Sequence, residues 1–302
     1  MKKYSKPAIS IKNQIDKLEK RGLKFNDKIE AEKTLSNISY YRLRAYTYPF
    51  QDNTNPNHPF TQEITFEEII KLYEFDSKLR LIIFEATEYI EVALRTQIVY
   101  QMSIKNGSHW YCEPQFYRDS LRFANHLTTL QDEISRSKED FIGHYNNNYN
   151  DPISPPAWMS LEVVSMGLLS KIFENLKLGE EKKAILRHFG LKKMDILENW
   201  MLCLTALRNI CAHHSRVWNK RLTKINIPKD TIDDFLQNSN YQSNKLYMTL
   251  SCMVYMLKRI NPKCKFVQKI KELVTSFNGS SRILKDMGFP DGWEKEKLWN
   301  EV

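Results

Sequence analysis

Apolar side chains recur at spacings of three and four along most of this chain, and no run shows the strict alternation of a half-buried strand. Ser10 can cap a first helix that carries Ile11, Ile15 and Leu18 on one side through Arg21, with Gly22 as its left-handed stop. Asp27 and Glu30 form a capping box for a second helix to about Ile38. A segment dense in Tyr and Arg follows, from Ser39 to Phe50, and the Asn- and Pro-rich stretch 51–60 reads as a loop and a boundary. Thr65 and Glu68 open the longest pattern, in which Ile69, Leu72, Leu79, Ile83, Ala86, Ile90, Leu94 and Ile98 keep helical spacing to about Lys105. One straight rod of that length would run about 60 Å, so the pattern also leaves room for a kink.

Beyond Asn106-Gly107 the spacing predicts a more polar helix over 121–139, an unstructured 145–152, and a helix from Trp158 to Leu176 started by Pro155-Pro156. A short basic helix follows over 180–189. The next, from Met194, has Leu197, Trp200, Leu204, Leu207 and Cys211 in a core-facing seam. Residues 215–242 look loop-rich, an apolar helix runs from Ser243 to Ile260, and short basic helices finish the chain. These elements make an all-α protein: an N-terminal helical arm over 1–60 and a helical bundle over 61–302.

Composition narrows this reading. Only 9 glycines occur in 302 residues, too few for sheet architectures rich in tight turns or for glycine-lined phosphate loops. With 42% hydrophobic and 27% charged residues the chain is neither disordered nor a membrane protein. The N-terminus runs into no apolar segment of the signal-peptide kind, and no stretch approaches the roughly 18 apolar residues of a bilayer span. Five scattered cysteines without a C-x-x-C pair predict reduced thiols in the cytoplasm, with neither a disulfide framework nor structural zinc. No nucleotide, metal-ligand or serine-hydrolase motif is present, so no cofactor is expected.

Charge brings in a partner. Forty-five Lys and Arg against 36 Asp and Glu leave +9, which suits a polyanion. Residues 1–24 hold eight Lys and Arg against Asp16 and Glu19, and further basic runs lie at 182–193 and 258–271. The chemistry-bearing cluster closes the Met194 helix as Leu207-Arg208-Asn209-Ile210-Cys211-Ala212-His213-His214-Ser215-Arg216. At about 100° per residue Asn209 and His213 share a face, whereas Arg208 lies well around from His213. The two converge only if the last turn deforms, if Arg208 reaches round, or if a second copy completes the site.

R-N-x-x-x-H resembles the R-x4–6-H motif of HEPN-superfamily ribonucleases. The wider sequence resembles the bacterial abortive-infection Abi-like family, the AbiD/AbiF group. The matching blocks are Lys6-Pro7, Gln14-Ile15, Arg21-Gly22-Leu23, Ile38 to Leu43, Leu72 to Asp76, Leu79-Arg80, Glu91 to Thr96, and Arg208-Asn209 to Trp218-Asn219. The resemblance implies a HEPN-like bundle that dimerises so that two motifs face each other, and a metal-independent endoribonuclease in phage defence. It casts His213 as the acid or base for an RNA 2′-OH and Arg208 as the forked charge on the phosphorane. Asn209 would orient His213 or bind phosphate, with His214 and Arg216 in support. A 2′,3′-cyclic phosphate and a 5′-OH would result, and a bound regulatory RNA would control a toxin of this kind.

Other interpretations stand beside these. A helix-terminal His and Arg also complement the macrodipole and cap carbonyls. Glu91 and Arg95 most simply form an i, i+4 pair, with a buried place beside Arg208 as the functional alternative. Trp218 most simply packs. RNA contacts are expected among Arg42, Arg44, Tyr46, Lys182, Lys183, Arg187, Lys220, Arg221, Lys263 and Lys265, although the Tyr and Arg residues of 40–48 suit a structural wedge equally. The rival function is a non-catalytic RNA-binding protein in a stable ribonucleoprotein, with RNA as partner in either case.

Overall fold

The computed structural model describes residues 3–5, 7–228, 241–277 and 280–300; Lys6 and part of the loop-rich 215–242 lie outside them. Thirteen α-helices and no strand are found among the described residues, so the fold is all-α. The chain divides into two compact units, Met1–Leu79 and Arg80–Val302.

The first unit holds α1 (Ile11–Lys20), α2 (Lys28–Asn37), α3 (Tyr40–Thr47) and the beginning of α4 (Phe66–Asn106). The caps fall where the sequence places them. Asn13 N–H donates to Ser10 Oγ at 3.2 Å, and Asp27 Oδ1 takes the N–H groups of Ile29 and Glu30. Thr65 and Glu68 form a reciprocal box at 2.8 and 3.2 Å, and the 41 residues of α4 run without interruption. The Tyr- and Arg-rich segment, whose regularity the hydrophobic pattern hides, forms α3 behind the Ser39 cap. The division between units falls inside α4 rather than in the loop 51–60. The first turns of α4 belong to the arm because Phe66 stacks on Phe25 at 5.2 Å and Asp76 accepts a 2.6 Å hydrogen bond from Tyr46.

The second unit continues α4 and adds α5 (Ser120–Arg136), α6 (Asp140–Asn148), α7 (Ala157–Ser160), α8 (Met166–Asn175), α9 (Glu180–His188), α10 (Met194–Ala212), α11 (Leu246–Ile260), α12 (Phe266–Thr275) and α13 (Ser280–Met287). Here the structure corrects two expectations. Residues 140–148 are helical, and the helix expected from Trp158 to Leu176 breaks between Ser160 and Met166 because Ser165 caps a new start by accepting from Leu168 N–H. Helix α10 packs on α8, α9 and α11, and α5 packs on α8. Leu169, Phe173, Trp200, Leu204, Met253 and Met256 fill the space between them without solvent contact. Four rings, Tyr247, Phe289, Trp293 and Trp299, seal one end of α11 with centroids 4.8–5.8 Å apart.

Two polar devices tie α8 to its neighbours. Lys182 is almost wholly buried, and its ammonium donates to the Glu174 and Leu176 carbonyls and to Glu198 Oε1 at 2.6 Å. It satisfies carbonyls that the C-terminus of α8 leaves open. On the surface, Arg122 of α5 grips both carboxylate oxygens of Glu174 at 3.3 and 2.8 Å.

That grip holds the Glu174 carboxyl below its ordinary value of 4.5. A depressed carboxylate contributes stability that is complete above the unfolded value and lost as pH falls through the folded one. Glu174→Gln is therefore expected to cost about 0.2–1 kcal/mol at neutral pH, as half-exposed pairs do. The difference from the native chain should shrink steadily below pH 4.5 in urea titrations.

Candidate functional site

Helix α10 delivers its seam to the core as predicted, and its last turn leaves Arg208 half-buried with 37% of its side chain exposed. Arg208 rests on α4. Its guanidinium lies 5.5 Å above the Phe84 ring, and its Nε is 3.8 Å from Glu91 Oε2. The other oxygen of Glu91 accepts a 2.8 Å hydrogen bond from Arg95 Nη2, and Arg95 Nη1 donates to the Leu161 carbonyl. Both alternatives for Glu91 and Arg95 therefore hold together: an i, i+4 pair that also sits against Arg208.

The broken helix makes this arrangement possible. In a continuous helix the Leu161 carbonyl would bond to the N–H of Ser165. Here that N–H goes to Glu133 Oε2 at 2.7 Å, which leaves the carbonyl for Arg95. Phe84, Glu91 and Arg95 fall on one helical face at i, i+7 and i+11, and this spacing was the signal in the sequence that could have joined them to Arg208.

His213 is the C-cap of α10 and is exposed; its N–H bonds to the Asn209 carbonyl. No hydrogen bond joins its imidazole to Arg208 among the described residues. The helix then closes with Ser215 N–H on the Ile210 carbonyl and His214 N–H on the Cys211 carbonyl, both at 3.0 Å. This pair of bonds puts residue 214 in the left-handed region, at φ 54°. Helices α1, α9 and α13 end with the same pair of bonds, and each has glycine at that position: Gly22, Gly190 and Gly288. Helix α10 has histidine there, although a side chain costs about 1 kcal/mol in this conformation. Asn209 lies exposed one residue beyond Arg208.

Beyond the motif, Arg216 turns back to the chain: its Nη2 donates to the Asn219 carbonyl at 3.4 Å, and its guanidinium lies 5.7 Å from the centroid of the Trp218 ring. Trp218 is fully buried, and Lys245 reaches Asn219 Oδ1 at 3.4 Å. Arg216 and Trp218 thus build the loop that leaves α10.

The expected RNA contacts separate by burial. Tyr46 is enclosed, with its hydroxyl on Asp76 and its ring edge-on to Tyr73 at 5.3 Å, so it has no face for a base. Lys182 is likewise a packed residue whose donors are spent on α8 and Glu198, and it is removed from the surface set. Both look like ligand-binding residues in the sequence because residue type says nothing about burial. Lys183 is exposed and pairs with Glu180 at 2.8 Å, while Arg187 approaches Glu180 at 3.7 Å. Arg42, Arg221, Lys263 and Lys265 are exposed, and Arg44 and Lys220 are half-buried. In the 258–271 run, Lys258 donates to the Asn300 carbonyl, Arg259 stacks on Tyr255 at 3.4 Å and Lys269 pairs with Glu85 at 2.6 Å. The charge left over there sits at Lys263, Lys265 and Lys271. Among the described residues no three His, Cys, Asp or Glu side chains gather as a metal would require, and no helix is long and apolar enough to cross a membrane.

The chain is thus all-helical, with a half-buried carboxylate beside a half-buried arginine, one turn before a surface histidine. The Abi-like protein family matches residues 33–219, and the chain belongs to that family, whose role is in abortive infection, a phage-defence response. No curated protein and no solved structure matches it significantly.

Removing the carboxylate isolates two arginines, one of them buried. Glu91→Ala should cost about 2–4 kcal/mol in urea unfolding and Glu91→Gln clearly less, because the amide oxygen still accepts from Arg95. Replacing His214 by Gly relieves the left-handed strain, and a gain of about 1 kcal/mol is expected from the same measurement.

Proposed function

We propose that this chain is a metal-independent endoribonuclease of HEPN type that cuts RNA as its defence activity. The observation that carries the proposal is the held arginine. Arg208 has a partner on one edge of its guanidinium, at the long distance of 3.8 Å, and keeps donors for a phosphate. Five N–H groups in a planar fork match two phosphate oxygens. The His213 imidazole stands in solvent one turn further on, where it can take a proton from a 2′-OH or return one to a leaving 5′-oxygen. The 2′-oxygen attacks phosphorus, the P–O5′ bond breaks, and the products are a 2′,3′-cyclic phosphate and a 5′-OH.

Arg208 and His213 of one chain do not share a hydrogen bond, and a second copy supplies the missing half. An apolar surface suits that partner. Along α4, Phe84 beneath Arg208 and, further on, Val92, Tyr100 and Ile104 are exposed, with Trp158 next to the last two around an apolar recess of about 420 Å³. Exposed apolar side chains of this number fit an interface between copies. Control would then lie in assembly, or in a regulatory RNA bound to the basic surfaces.

Purified protein incubated with cellular RNA should yield fragments with 5′-OH and 2′,3′-cyclic ends in the presence of a chelator, and light scattering should give a dimer. Arg208→Ala and His213→Ala are each expected to lower the cleavage rate by about 10²–10³ or more, the usual loss for an electrostatic or acid–base group. If the native chain and both variants bind RNA alike and none cuts it, the protein is a ribonucleoprotein component and the nuclease proposal fails.

A further inference from the structure

A wide recess lies in the arm, far in sequence from Arg208. It is an open groove of about 1150 Å³ between α1, the start of α3 and the loop at 56–58. Lys17, Lys20 and Arg21 line it from the last turn of α1, and Arg44 lines it from α3, against the single acid Asp16. Part of this charge has an ordinary explanation, since cations at a helix C-terminus complement its dipole. Arg44 stands likewise in the last turn of α3, yet neither its guanidinium nor the Lys20 ammonium makes an ion pair among the described residues.

Aromatic rings share the groove. Arg21 Nη1 donates to the Tyr40 hydroxyl at 3.1 Å, which fixes that ring on the wall. Tyr41 beside it is 84% exposed. A lone exposed tyrosine would mean little; one beside four cations around a single groove calls for a ligand with both flat faces and negative charge. Its volume exceeds the usual range for small-molecule pockets, about 300–1,000 Å³, and its open side admits a chain.

We propose that this groove binds a short single-stranded segment of RNA, with bases stacked on Tyr41 and Tyr40 and phosphates on Lys20, Arg21 and Arg44. Stacking requires unpaired bases, so a duplex is the wrong ligand. An acidic peptide would use the cations and leave the rings idle. The proposal rests on the reading of the chain as one that acts on RNA, and it assigns capture of the strand to the arm. Tyr46, which the sequence offers for this purpose, is replaced by Tyr41.

The test uses the full chain and a fluorescein-labelled single-stranded oligoribonucleotide whose 2′-O-methyl groups prevent attack by the 2′-oxygen. Binding is followed by fluorescence anisotropy across a salt series. Tyr41→Ala should weaken binding about tenfold or more, and Tyr41→Phe should restore it, because stacking is worth about 1–3 kcal/mol per base. Lys20→Ala with Arg44→Ala should lower the slope of log K against log salt by about 1.4, at about 0.7 per phosphate contact on a single strand. Tyr41 and Lys20 are exposed and Arg44 is half-buried, and unchanged circular-dichroism melting separates lost binding from lost fold. Native affinity in the Tyr41 and double variants overturns the proposal, as does failure of the native chain to bind. Competition by polyglutamate with no effect of Tyr41→Ala also overturns it, in favour of an acidic protein partner. The nuclease reading is judged separately. If Tyr41→Ala weakens binding but the native chain cuts no RNA, the groove stands and the nuclease falls; cleavage that needs Arg208 with a groove indifferent to mutation gives the reverse.

Discussion

One carboxylate, Glu91, pairs with Arg95 of its own helix and faces Arg208 of α10. A buried guanidinium is tolerable only with its charge matched and its donors filled. Arg95 meets both demands through Glu91 and the Leu161 carbonyl. The second requires the helix to stop at Ser160 and restart at Met166, so the break that looks like a flaw in the apolar pattern is what frees the acceptor. With one oxygen committed to Arg95, the other lies 3.8 Å from Arg208, close enough to orient it and too far to occupy it. Arg208 therefore owes its place to a chain of contacts running through α4, the break and α10.

The end of α10 shows a second constraint. Glycine is scarce, and four helix ends, at Gly22, Gly107, Gly190 and Gly288, take it where the left-handed turn demands it. Spending a histidine on the same turn at residue 214 sacrifices stability. Strain of this sort gathers where side-chain chemistry outweighs packing, and here it sits beside His213 and six residues beyond Arg208.

The net positive charge divides in the same way. Lys182, Lys258 and Arg259 spend their donors or their faces inside the protein, and Lys183, Arg187 and Lys269 meet carboxylates. Among the cations left for an outside polyanion are Lys263 and Lys265 in the second unit and those of the α1–α3 groove of the arm, where aromatic rings accompany them.

The sequence by itself determined the all-α class, the caps at Ser10, Asp27 and Thr65, the seam of α10 and the Arg208–His213 spacing. Each depends on residues within about one turn or on a repeated period, which the linear order carries in full. Only the tertiary structure decided that Lys182 and Tyr46 are internal, that residues 161–165 break a helix, and that Glu91 serves two arginines. These depend on which distant groups come within hydrogen-bonding reach. Leu161 must present its carbonyl 66 residues from Arg95, and Tyr46 must find Asp76 thirty residues on. Type and spacing identify a charge, but its partner, and so its role, is set by packing between elements.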